Sequence, residues 1–148
     1  MGVVRQSVQI DAPPERVWEV LVDAERLPEW NEELVAVEDA NGPLDHPGAS
    51  YTQVFRAGGR DVRGRFEVVA AQPLRAREMR ASLPMMSRAV GRDTLEPRDG
   101  GTLLTVELEF ELKGGALARL GEPLLVARME KAFARNGENL RRLVESGG

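Results

Sequence analysis

The chain contains no cysteine, one histidine, one tyrosine and two tryptophans in 148 residues. Without thiols there is no disulfide framework, no thiolate zinc site and no cysteine nucleophile. One imidazole and scattered carboxylates do not make the donor set that a resident metal requires, so neither a metal nor a cofactor is expected. Long apolar runs are lacking as well. No stretch approaches the length of a membrane span, and residues 1–6 lack the apolar core of a secretory signal. A chain of this kind is expected to work in the cytoplasm, without stable membrane insertion. The charges nearly balance, with 24 acidic and 20 basic residues giving a net −4. Eighteen of the basic residues are Arg, but they alternate with Glu and Asp, which leaves no patch for nucleic acid. The pairs Gly58-Gly59 and Gly100-Gly101 have no following helix and no phosphate-loop spacing, so both read as hairpin turns.

What is present is a long amphipathic segment at the C-terminal end. Over 116–144, Leu125, Met129, Ala132, Phe133, Asn136, Leu140, Leu143 and Val144 gather on one arc of a 3.6-residue wheel, and charged residues fill the other. The spacing predicts a helix long enough to cross a small domain. Leu117, Leu120 and Leu124 fall on a different arc, so a break is expected near Pro123, with the main helix starting there. Asn136 sits inside the apolar arc. Its amide is met either by a neighbouring strand or a water, or by a polar contact inside a ligand pocket.

The rest of the chain reads as one strand, two helical pieces and six strands in a single domain over 1–148. Residues 3–10 alternate as a half-buried strand, with Val4, Val8 and Ile10 on one side. Pro13-Pro14-Glu15 then starts a helix whose stripe is Val17, Trp18 and Leu21. A second short piece follows over 23–30, broken at Pro28, with Trp30 as an apolar anchor. Strand patterns cover 33–39, 50–56, 60–70, 75–82, 86–96 and 102–113, separated by Gly, Pro, Asn and Asp turns. Short turns between consecutive strands make an antiparallel meander. In the last strand Leu104, Val106, Leu108, Phe110 and Leu112 share one face, and Glu107, Glu109 and Glu111 share the solvent face. The expected fold is α+β, a curved seven-stranded antiparallel sheet gripping the C-terminal helix, with room for a cavity between them.

Candidate site residues follow from the same alternation. Tyr51, Phe55, Phe66, Met79, Leu108 and Phe110 from the sheet, with Met129 and Phe133 from the helix, are either cavity wall or plain core. Adjacent charges within strands are more telling, because neighbours point to opposite faces. Of Arg77-Glu78, Arg77 shares its face with Met79 and Ala81 and is expected to point inward. There it either meets an anionic group of a ligand, or pairs with Asp93 or another carboxylate, or extends to the rim. Of Arg92-Asp93 the inward member is left open. His46, in Asp45-His46-Pro47-Gly48, reads as a surface-turn histidine. Catalytic residues are not identified by any motif, and Asn136 completes the set of candidate ligand contacts.

The run Ile10-Asp11-Ala12-Pro13-Pro14-Glu15-Arg16-Val17-Trp18, then Leu27-Pro28-Glu29-Trp30, then Leu95-Glu96-Pro97 with Gly100-Gly101-Thr102, and the terminal amphipathic helix resemble the START-like (SRPBCC) superfamily. The likeness is to its bacterial polyketide cyclase/dehydrase-like branch, covers nearly the whole chain and rests on scaffold motifs. It implies a helix-grip fold with an apolar cavity that takes a lipid, a polyketide or another aromatic compound. It carries no shared catalytic motif onto positions of this chain. Three functions follow as alternatives: binding of a small hydrophobic ligand, cyclase/dehydrase-like catalysis, or a ligand-free protein-interaction module. The protein is expected as a monomer or homodimer.

Overall fold

A computed structural model describes residues 1–147. The elements run β1 (Gly2–Ile10), α1 (Pro14–Leu21), a 3-10 turn (Ala24–Arg26), α2 (Leu27–Trp30), β2 (Leu34–Glu38), β3 (Ser50–Ala57), β4 (Arg60–Gln72), β5 (Ala76–Ser82), β6 (Met86–Arg98), β7 (Gly101–Leu112) and α3 (Gly115–Glu145). The seven strands form one antiparallel sheet in the order β1-β7-β6-β5-β4-β3-β2. All neighbours but β1 and β7 are consecutive in the chain, so turn chemistry builds most of the sheet. The β3–β4 hairpin closes through Gly58 and Gly59, whose φ values of 59° and 78° suit the mirror-image turns that match strand twist. Bulges in β2, β4 and β6 bend the sheet.

The curled sheet wraps α3, and three contacts fix the direction of the helix. Glu122 approaches the N-terminal amine of Met1, a Cβ at Gly137 would lie 3.5 Å from Val8, and the Asp11 amide donates to Glu145 at 2.9 Å. The helix thus runs along β1 in the same sense. Ala132, Asn136, Leu140 and Val144 are its buried residues. They fall on the arc that sequence periodicity marks.

Two breaks expected from proline are placed differently. Helix α3 is continuous through Pro123, and does not restart there. Proline forfeits the bond to the carbonyl of Arg119, but both residues are exposed, so water can take that carbonyl's place as partner. The 23–30 piece divides before Leu27, not at Pro28: Asp23 caps the 3-10 turn through the Glu25 amide, and Pro28 sits in the first turn of α2, where its missing N–H costs nothing.

Two apolar clusters fill the domain among the described residues. The larger has 17 buried members, among them Ile10, Val17, Leu21, Leu44, Tyr51, Leu104, Leu140 and Val144. The smaller has five, Val4, Ala81, Met86, Ala89 and Phe110, and its remaining neighbours are only half-buried. The two ends of the concave space are therefore packed to different degrees.

Candidate functional site

Strand register defines the concave face. Across the middle of the sheet the paired positions Val68, Met79, Gly91, Leu108 and Val4 lie side by side on β4, β5, β6, β7 and β1. Next to them run Ala71, Arg77, Asp93, Val106 and Gln6, and on the other side Phe66, Ala81, Ala89, Phe110 and Gly2. Gly91 is the informative member. A Cβ built there would meet only the Glu107 carbonyl oxygen, at 3.9 Å. At Gly64, also inward, the same construction would lie 2.3 Å from the Leu83 side chain. One glycine position is filled by a neighbouring side chain, and at the other a Cβ would have no side chain within 4 Å.

The ten candidate residues divide accordingly. Phe55, Phe66, Met79, Leu108, Met129 and Phe133 are half-buried although four of them lie on the sheet's inner face and two on the facing helix. Met79, Leu108 and Phe66 belong to interior strands, so this accessibility is not that of a sheet edge. Tyr51, Arg77, Phe110 and Asn136, at 1%, 5%, 0% and 7% exposure, are packed in. The first group keeps some accessible surface, and the second is packed among its neighbours.

The polar members of the buried group are already engaged. Arg77 donates through Nε at 3.0 Å and Nη2 at 2.6 Å to Asp93 Oδ2, and through Nη1 at 3.2 Å to the Leu44 carbonyl. Both ions point inward, which resolves the Arg92-Asp93 alternative in favour of Asp93, and they neutralise each other. Tyr51 stacks on Phe66 with ring centroids 5.4 Å apart and accepts a hydrogen bond from Gln53 Nε2 at 2.8 Å. Burial pushes its hydroxyl up to about 12; Gln53 and Arg77 act against the rise and Asp93 adds to it. Asn136 accepts from the Glu32 amide and donates to Asn31 Oδ1, both at 3.2 Å, so its amide joins α3 to the α2–β2 connection. Glu32 strengthens that junction: hydrogen bonds from Asn139, first, and from Arg135 lower its pKa.

Other charges lie outside the concave space. His46 is exposed and bonded to Asp45. Arg92 points outward among Glu78, Glu107 and Glu109, at 3.0, 3.4 and 2.9 Å. Two open clefts, of about 290 and 720 Å³, lie on this convex side and the adjoining end of the sheet, sharing Arg5, Gln72, Ala76, Thr94 and Thr105. In the smaller one the guanidinium and carboxylate groups satisfy one another: Arg5 with Glu107, Arg77 with Asp93, and Arg92 with Glu78 and Glu107. Among the described residues no three His, Asp or Glu side chains form a metal-holding group, and no helix is long and apolar enough to cross a membrane.

Gln6 is an inward polar residue absent from the sequence-based candidates. It stands between Val4 and Val8 on the face of β1 turned to α3. The alternation that placed Val4, Val8 and Ile10 together also places Gln6 with them, and that signal was available in the sequence.

A curled antiparallel sheet closed by one long helix over an incompletely filled concave face is the helix-grip architecture. The chain belongs to the family described as "Polyketide cyclase / dehydrase and lipid transport", which it matches over residues 1–145. Solved structures agree on the fold. TTHA0849 from Thermus thermophilus superposes with a TM-score of 0.82 at 23% identity, covering 99% of each chain. The ZhuI aromatase/cyclase from Streptomyces sp. R1128 gives 0.81 at 16% identity, covering 97% of this chain and 93% of that one. A START superfamily protein from Mycobacterium smegmatis gives 0.78 at 18%, covering 99% of both. No curated protein sequence matches.

Proposed function

We propose that the protein binds a small, mostly apolar molecule, such as a lipid, a polyketide or another aromatic compound, between the concave sheet face and α3. The observation that carries this reading is that a Cβ at Gly91 would meet no side chain within 4 Å, between half-buried Met79 and Leu108 in the middle of the sheet. Interiors are close-packed, so an inner face that leaves room at its centre and lines it with Met and Phe side chains is suited to an apolar guest. The family description and the likeness of fold to an aromatase/cyclase support the same class of ligand.

Binding is favoured over acid–base catalysis by the ionisable groups of the inner face. The Tyr51 phenol, pushed up to about 12, stays neutral at ordinary pH, and Arg77 and Asp93 are spent on each other. A general acid or base instead requires a titratable group near the working pH and within reach of substrate.

The test fills the space. Gly91 is absent from the positive-φ glycines, so a side chain is compatible with its backbone. Wild-type protein is expected to bind the neutral dye N-phenyl-1-naphthylamine saturably, with a rise in fluorescence. Gly91→Leu is expected to weaken that binding by about tenfold or more while thermal stability is kept or improved, since glycine weakens a strand interior. Equal dye affinity in the variant places binding elsewhere, and the lack of saturable binding in wild type ends the reading.

A further inference from the structure

Most inward polar side chains have partners within the protein: Arg77 with Asp93, Tyr51 with Gln53, Thr102 with the Ala12 carbonyl, and Asn136 with Asn31 and Glu32. Gln6 differs. Its side chain is half-buried and makes no hydrogen bond among the described residues, although it carries two donors and an acceptor. It opposes Val106 on β7 and is flanked on its own strand by Val4 and Val8.

Its place over the helix can be worked out. A Cβ at Gly137 would touch Val8, and α3 runs in the same sense as β1. Two strand residues back from Val8 is about 6.6 Å, which is about four helix residues. That position is Phe133, one of the half-buried aromatic residues of the helix. Gln6 thus lies where α3 faces the open part of the sheet, one register row from Leu108 and Gly91.

We propose that Gln6 is the hydrogen-bonding anchor of the bound molecule, and that the ligand is a neutral compound presenting a carbonyl or hydroxyl oxygen on an apolar frame. The inference rests on the binding reading above and narrows it. A primary amide both donates and accepts, so it pairs with a neutral oxygen function without introducing charge. A carboxylate ligand would have no counter-ion there, because the inward guanidinium is already held by Asp93 and the Leu44 carbonyl. An entirely apolar ligand would cover the amide and leave it without a partner, which is costly.

The experiment compares fluorene with 9-fluorenone, two tricyclic molecules of nearly the same shape that differ by one carbonyl, in competition with N-phenyl-1-naphthylamine. Wild type is expected to bind the ketone about fivefold or more tightly than the hydrocarbon, the range of one net hydrogen bond. In Gln6→Leu and in Gln6→Met the ratio is expected to fall to about one, with fluorene affinity kept or increased. Two variants guard against a folding failure in either. Saturable dye binding with equal affinity for the two tricycles in wild type overturns the role of Gln6 and leaves apolar binding intact. A ketone preference that survives both substitutions overturns it as well. No saturable binding of dye or tricycle removes the underlying reading along with this one.

Discussion

The two ends of the space between sheet and helix are built on opposite terms. Beneath the C-terminal half of α3, Leu140 and Val144 join a cluster of 17 buried side chains supported by α1 and α2. Beneath its earlier turns, Leu125, Val126, Met129 and Phe133 are half-buried around a cluster of five, and Leu117, Leu120 and Leu124 stand 80%, 79% and 68% exposed. One helix serves both regions. Buried apolar side chains are concentrated at one end, and the half-buried residues border both: Phe55, Phe66 and Met79 the larger cluster, Phe66, Leu108, Met129 and Phe133 the smaller. If the proposed ligand binds in this space, the densely packed end supplies the stability that the sparser end lacks.

That contrast can be broken most severely at the packed end. Arg77→Met would leave the Asp93 carboxylate buried without its guanidinium, an expected loss of about 3–5 kcal/mol in denaturant unfolding. Adding Asp93→Leu should restore much of it, since a buried ion pair often contributes little net stability compared with apolar residues of similar size. A single substitution that left the unfolding midpoint unchanged would show that water reaches Asp93.

A milder test at the same end uses pH. Tyr51 is the only tyrosine, so the rise in absorbance at 295 nm on raising the pH reports its ionisation alone. Its folded-state value of about 12 stands above the ordinary value near 10, so the native state holds the phenolic proton more tightly than the unfolded chain does. The resulting stability is present in full below about pH 10 and is lost between about 10 and 12, at about 1.4 kcal/mol per pH unit. Tyr51→Phe should flatten that part of the profile. An absorbance transition near 10 in folded protein would mean that the phenol is wet.

The smallest effect is expected at the open end. Leu120→Ser should change stability by no more than about 0.5 kcal/mol, because the side chain already lies in water. A cost several times larger would mean that this face is covered in solution.

Sequence patterning carried most of the architecture, because alternation and turn chemistry act locally. The seven strands, their faces and the buried arc of α3 needed only the periods of 2 and 3.6. What lay beyond it depended on residues far apart. That Asp93 points inward follows from its pairing with Arg77 one strand away, a fact of register and not of the dipeptide Arg92-Asp93. The lack of a side chain beside Gly91 is equally non-local, since Gly64 shares its alternation and is filled by Leu83. Pro123 misled for a different reason: the carbonyl its ring crowds and frees belongs to exposed Arg119, so water can solvate it and the helix continues. Six of the ten candidate residues are half-buried and four are buried. Composition alone could not divide them, because a wall phenylalanine and a core phenylalanine are the same residue.

The order of the strands also sets when the molecule can fold. Ser7 bonds to Thr105 across 98 residues of chain, and β1 has no sheet partner other than β7. On a ribosome the first strand leaves the exit tunnel with Val4, Val8 and Ile10 uncovered, and waits for nearly the whole chain before either β7 or α3 can shield them. The five hairpins from β2 to β7 form by local search, whereas joining β1 closes a loop of about 100 residues and is slowed by its entropy. That long closure is the expected rate-limiting event of folding, and the exposed first strand is where a chaperone would find most to hold.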